Sequence, residues 1–111
     1  MARLLEIENS CPMEKALNIL SGKWKLQILW RLSIKERRFN ELKSELHNIS
    51  SKSLTTQLRE LEEDNMIERV VIAESPIKVE YHITEIGNSL TPFFKSLCEW
   101  GKYYKEVTNV Q

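Results

Sequence analysis

Cysteine is scarce in this chain, and its scarcity closes off several kinds of site. Cys11 and Cys98 are the only two in 111 residues, so neither a disulfide framework nor a Cys-x-x-Cys metal knuckle is available. His47 and His82 are isolated from each other as well. A zinc site would have to be assembled from scattered ligands, and neither a metal nor a cofactor is expected. Asp64 is the only aspartate, no glycine-rich phosphate loop occurs, and neither histidine has an evident nucleophile partner. These absences argue against an enzyme. No apolar run approaches the ~18 residues of a membrane span. Met1 to Ser10 also lacks the basic start and apolar core of a signal peptide, so a cytosolic chain without a membrane partner is expected.

What is present suffices for one compact domain with extensions: 111 residues with 41% hydrophobic content. The net charge of zero conceals an uneven distribution. Between Ser21 and Arg59, nine Lys or Arg stand against Glu36, Glu41 and Glu45, a segment of +6 in a chain whose remainder is −6. A basic face on an acidic body is the electrostatic footprint of a nucleic-acid reader.

The stretch from Ile49 to Asp64 has two faces. Leu54, Leu58 and Leu61 recur at i, i+4 and i+7, forming one buried stripe of a helix. Opposite them lie Ser51, Lys52, Thr55, Thr56 and Arg59, short hydroxyls and two cations that can reach phosphate or base edges. Taken alone, this is an ordinary amphipathic surface helix. Its neighbours decide otherwise.

Ahead of it, Met1 to Ser10 is treated as an arm. Cys11-Pro12 opens a first helix, where proline suits the first turn, and Ala16, Leu17, Ile19 and Leu20 are expected to form its buried stripe. A second helix from Lys23 to about Leu32 turns Trp24, Ile28 and Leu29 inward, with Lys25 and Arg31 facing away. The basic turn Ile34 to Arg38 precedes a short helix with Phe39, Leu42 and Leu46 at i, i+3 and i+7. His47-Asn48-Ile49 then connects to the two-faced stretch, where Ser50 or Ser51 can cap the helix. Two short helices joined by so tight a turn make a helix-turn-helix, whose second helix enters the major groove.

After Asp64-Asn65 the period falls to two. Met66 to Ala73 and Ile77 to Thr84 read as strands joined by Glu74-Ser75-Pro76. The expected fold is therefore mainly α with a β-hairpin wing, an α+β winged helix-turn-helix. Lys78 near the hairpin tip is placed to follow a phosphate strand or to reach the minor groove.

The last segment places Ile86, Leu90, Phe93, Leu97, Trp100 and Tyr104 at spacings of 4, 3, 4, 3 and 4, broadened by Phe94 and Tyr103. Such a seam is more apolar than a terminal helix on a small domain should expose. Pro92 must kink this run or start a new helix. We read the seam as a dimerisation face, since DNA readers gain affinity from two half-sites. The alternative is that it folds back and completes the monomer's own core. Cys98 is expected to be buried in it. The expected boundaries are an arm at residues 1–10, a DNA-binding unit at 11–84, and a dimerisation helix with its tail at 85–111.

Several motifs together resemble one family, the HxlR-type winged helix-turn-helix transcriptional regulators of bacteria and archaea. They are Cys11-Pro12 with Ala16-Leu17, Gly22-Lys23-Trp24, Arg37-Arg38-Phe39-Asn40-Glu41-Leu42, Ile49-Ser50, Leu58-Arg59-Glu60-Leu61-Glu62, Glu68-Arg69, Val79-Glu80-Tyr81, Thr84-Glu85-x-Gly87 and Trp100-Gly101, in family order. The chain departs from the usual pattern at His47-Asn48, where Pro-Gly is common, and at Ala73-Glu74-Ser75, less basic and less aromatic than many wings. Both departures leave the fold intact, and the second bears on how firmly the wing grips DNA.

The resemblance implies a homodimer on a pseudo-palindromic operator, with repression as the default outcome. It places Leu17 and Leu20 of the first helix with Leu90, Phe93, Phe94, Leu97, Trp100 and Tyr104 in the dimer interface. Ser51, Lys52, Ser53, Thr55, Thr56 and Arg59 become recognition-helix contacts to double-stranded DNA. Within that set, Thr55, Thr56 and Arg59 are the candidates for base readout. Lys35, Arg37, Arg38, Lys43, Lys52 and Lys78 neutralise phosphates and set register. A winged helix used only for protein docking would fit the hairpin and the seam, but it leaves the +6 segment unexplained.

Cys11 stands just before Pro12 at a helix N-terminus, where the macrodipole and nearby cations can lower a thiol pKa from ~8.5 into the range ~3.5 to 7.5. Some members of the family use a cysteine at this position to sense quinones, aldehydes or disulfide stress, which implies a small electrophile or oxidant as partner. The other reading is an inert thiol packed at the dimer interface. Both remain open on the sequence.

Overall fold

The computed structural model describes residues 12–108. Cys11 and the arm at residues 1–10 lie outside them. Eight elements follow in order: α1 Met13–Ile19, α2 Lys25–Ile34, α3 Phe39–Glu45, α4 Ser51–Glu63, β1 Ile67–Glu74, β2 Ile77–Ile83, α5 Glu85–Asn88 and α6 Thr91–Thr108. The fold is mainly helical with one antiparallel hairpin, a winged helix-turn-helix.

The core is built where α2, α3 and α4 converge. Ile28, Leu29, Leu42, Leu54, Leu58 and Leu61 are completely or almost completely buried, and Met66, Ile67 and Phe94 close the cluster. The leucine stripe of α4 thus faces inward along its length, each side chain contributing about 1.5–3 kcal/mol of apolar burial. Turn chemistry fixes how α4 enters and leaves. Asn48 adopts φ 74°, a left-handed conformation that asparagine tolerates and that a glycine would otherwise supply. At the far end Asn65 does the same at φ 61°. There the Asn65 amide donates to Glu62 O at 3.0 Å and the Met66 amide to Leu61 O at 2.9 Å. That paired closure stops the helix and turns the chain into β1.

The wing aligns Ile67 with Ile83 and Val71 with Val79, with a register shift between Val71 and Ala73. It is anchored to the helices by a bridge the sequence did not announce. The Arg37 amide donates to Tyr81 O at 3.1 Å and the Tyr81 amide to Arg37 O at 2.7 Å, so the turn before α3 acts as a short third strand. Below the wing, Thr84 Oγ1 donates to Asn65 O at 2.7 Å and accepts from the Gly87 amide at 3.0 Å.

Three expectations need correction. The α1 stripe is not buried: the helix buries no residue, Leu17 is exposed, and Ile19 and Leu20 only lean on the core. The second helix starts at Lys25 rather than Lys23. Lys25 and Arg31 do not face away from the core, because carboxylates on neighbouring helices draw them in. Lys25 pairs with Glu60 at 2.6 Å and the half-buried Arg31 with Glu45 at 3.3 Å. Pro92 takes the second position of α6, where its missing amide hydrogen costs nothing, so it starts a new helix and splits the seam between α5 and α6.

Candidate nucleic-acid interface

The geometry of α4 begins at its cap. Ser50 has extended backbone angles and its Oγ accepts from the Ser53 amide at 3.0 Å, satisfying a donor the first turn would leave open. Ser53 is half-buried beneath that cap. Beyond it Ser51, Lys52, Thr55, Thr56 and Arg59 are all exposed on the side opposite the leucines. Thr56 Oγ1 donates back to Lys52 O at 3.0 Å, which leaves its oxygen free to accept and its methyl free for apolar contact. Arg59 has Glu62 and Glu63 within helical reach, yet among the described residues it makes no ion pair.

The basic segment is sorted by this fold into two groups. Lys25, Arg31 and Arg37 are held in ion pairs by the partly exposed Glu60 and Glu45, and the Lys23 ammonium sits 4.8 Å over the Trp24 ring. Lys35, Arg38, Lys43, Lys52 and Arg59 remain exposed and outside any ion pair among the described residues. Arg37, expected to contact phosphate, also makes contacts within the protein. Its Nε lies 2.8 Å from Glu45 Oε2 and its Nη1 donates to Lys35 O at 2.7 Å, so two of its three guanidinium nitrogens are engaged within the protein. Arg38, one residue on, is the exposed member of the pair.

Beside Arg38 an open groove of about 520 Å³ runs between α3 and the wing, lined also by Phe39, Asn40, Glu41, Ile77 and Val79. Asn40, exposed at the start of α3, lines this groove. Lys78 is exposed next to the hairpin turn, paired with Ala73. The hairpin otherwise carries Glu68, Arg69, Glu74 and Glu80, so its net charge is −1. Val71, Ile72 and Ile77 are exposed on it. The wing thus mixes charges of both signs with exposed apolar side chains and is not a cationic clamp.

A small polar helix face, capped and backed by leucine, thus lies beside a hairpin wing. Residues 19–109 match the model of the HxlR-like helix-turn-helix family. This chain belongs to that family. It is similar to the HTH-type transcriptional regulator YdeP of Bacillus subtilis, 44% identical over 96 residues that span 86% of this chain and 75% of YdeP. Among solved structures, the redox regulator HypR in its reduced form matches with a TM-score of 0.83 at 37% identity, covering 90% of this chain and 99% of HypR. The quinone-bound YodB of B. subtilis matches with a TM-score of 0.72 at 32% identity, covering 84% and 99%. The HxlR-like family is one of transcriptional regulators.

In this HxlR-like chain the apolar seam divides. Phe93, Leu97, Trp100, Tyr103, Tyr104 and Val107 are exposed along α6, with Met13 and Leu17 exposed on α1. Trp100 and Tyr104 stack with ring centroids 5.4 Å apart. Phe94 was grouped with the interface, but it is 6% exposed and belongs to the core, because the start of α6 packs on α2. Leu90 is likewise drawn partly against the core. Cys98 was expected to be buried and is exposed, at the edge of an apolar depression of about 160 Å³ that includes Trp30 and Leu97. No helix among the described residues is long and apolar enough to cross a membrane.

Proposed function

We propose that this chain is a sequence-specific DNA-binding regulator, a repressor rather than an enzyme, acting in the cytosol as a homodimer on a pseudo-palindromic operator. The observation that carries the reading is α4 itself: a capped helix whose exposed side holds Ser51, Lys52, Thr55, Thr56 and an Arg59 that makes no ion pair among the described residues. Arg59 reaches guanine acceptors, and Thr55 and Thr56 supply hydroxyls and methyls for base edges. Lys35, Arg38, Lys43, Lys52 and Lys78 neutralise phosphate. Residues 11–84 form the DNA-binding unit, 85–111 the dimerisation helix and tail, and 1–10 an arm.

The exposed stripe of α6, with Leu17 and Leu20 of α1, serves as the interface that sets two α4 helices about one DNA turn, ~34 Å, apart. The test is a gel shift on duplexes enriched by the protein from a random-sequence pool, repeated across salt. Inverted half-sites and a steep loss with salt are expected. No salt-sensitive binding to any duplex would instead favour a protein-docking module, the reading to which exposed Val71, Ile72 and Ile77 on the wing lend support.

Cys11 completes the proposal as the sensing thiol: its thiolate adds to a ring carbon of a quinone, whose carbonyl oxygen takes up the proton, or adds across the N=N bond of diamide, from which a second thiol displaces the reduced hydrazine to leave a disulfide. Similarity to a redox regulator and to a quinone-bound regulator supports this assignment. Quinone or diamide should release the wild-type protein from its operator and leave Cys11→Ser bound. Equal release from both would clear Cys11 of the role.

A further inference from the structure

Among the described residues Lys25 is the one charged residue in the buried interior, 4% exposed. Its ammonium lies 2.6 Å from Glu60 Oε1, and Glu60 directly follows Arg59 on α4. Taking an ammonium out of water costs several kcal/mol, so a pair of this kind rarely adds net stability. What it adds is direction. Leu54, Leu58 and Leu61 hold α4 by apolar burial, a driving force without the directionality of a hydrogen bond. A rotation of ~10° moves the outer surface, about 5–6 Å from the axis, by roughly 1 Å. That displacement takes a base contact out of hydrogen-bond reach. It also stretches the 2.6 Å ammonium–carboxylate contact past hydrogen-bond distance, so the pair adds a directional restraint to the packing of the leucines.

We propose that Lys25 and Glu60 form a positioning pair that fixes the rotation of α4 and hence the aim of Thr55, Thr56 and Arg59. The pair determines which sequence is preferred rather than how tightly DNA in general is held. This inference rests on the DNA-binding reading above. Two different devices then orient the helix: the Ser50 cap sets its entry, and the Lys25–Glu60 contact sets the half that carries Arg59.

The test uses the full chain with Lys25→Met and Glu60→Gln combined, which removes both charges while keeping side-chain size. Binding is measured on the duplex enriched by the wild-type protein and on a shuffled version of it. The ratio of the two affinities should fall about tenfold, the worth of one misplaced base contact. Affinity for the shuffled duplex and its salt dependence should not change. Lys25→Met alone leaves a carboxylate that is already 46% exposed, should give the same loss of discrimination, and keeps the test decisive if the double variant does not fold. Undiminished discrimination in a folded variant, or equal loss on both duplexes, overturns the proposal. A wild-type protein with no salt-sensitive binding to any duplex overturns the DNA-binding reading beneath it instead.

Discussion

Arg37 and Glu45 bracket α3, with Nε and Oε2 2.8 Å apart. The other carboxylate oxygen of Glu45 lies 3.3 Å from Arg31 Nε on α2. Since the Arg37 backbone is also bridged to Tyr81, one residue joins the wing, the start of α3 and, through Glu45, the second helix.

Arg37 and Arg38 should therefore fail in opposite ways. Arg37→Ala should lower stability by about 1.5–3 kcal/mol, the range for hydrogen bonds to charged groups, and leave the salt dependence of DNA binding unchanged. Arg38→Ala should leave stability alone and reduce the slope of log K against log salt by about 0.9. Urea unfolding and salt titration of both variants separate the two roles.

Arg59→Ala should weaken binding to the enriched duplex about 10–100-fold more than binding to random duplex, equivalent to about 1–3 kcal/mol of base discrimination. Fluorescence anisotropy on both duplexes reads the difference. Equal loss on the two would reassign Arg59 to phosphate.

Gly87 is buried at the corner beneath the wing, where an added methyl would overlap the Met66 carbonyl and crowd Ile83. Gly87→Ala should cost about 1–3 kcal/mol by overpacking, seen as a lower urea midpoint. An unchanged midpoint would show that α5 can shift away from Met66.

Two aromatic positions six residues apart on α6 should behave differently. Trp100→Glu places a charge on the exposed stripe and should convert dimers to monomers in sedimentation equilibrium. Phe94→Ala removes a core ring and should cost about 3–5 kcal/mol of stability. A Trp100→Glu protein that stays dimeric would remove this stripe from the interface.

Much of the architecture was legible because it depends on local rules. The leucine spacing of α4, the two strands and the serine cap all act over a few residues; the strands lie within one residue of their expected bounds, and Ser50 is the one of the two candidate serines that caps α4. What the sequence left ambiguous depends on partners distant along the chain. Lys25 lies 35 positions from Glu60, and nothing near Lys25 signals that a carboxylate will meet it. Arg37 and Arg38 look alike in one dimension and are separated only by the Tyr81 bridge and by Glu45. Phe93 and Phe94 are adjacent on one helix, so the 100° between them decides which one enters the core. Cys98 misled for the same reason: the spacing identified an apolar stripe without saying that most of it faces outward.

That outward stripe governs how tightly the end of the chain is held. α6 has 18 residues and buries one of them, Phe94, near its start. Among the described residues this helix is anchored near its start and exposed along the rest, so its later turns open more readily, since propensity alone barely sustains such a length in water. Amide hydrogens around Phe94 and Leu97 should exchange slowly, and those towards Val107 progressively faster, when protomers are dilute. Raising the protein concentration should slow exchange along the whole helix, so the exchange gradient itself reports how fully the stripe is covered.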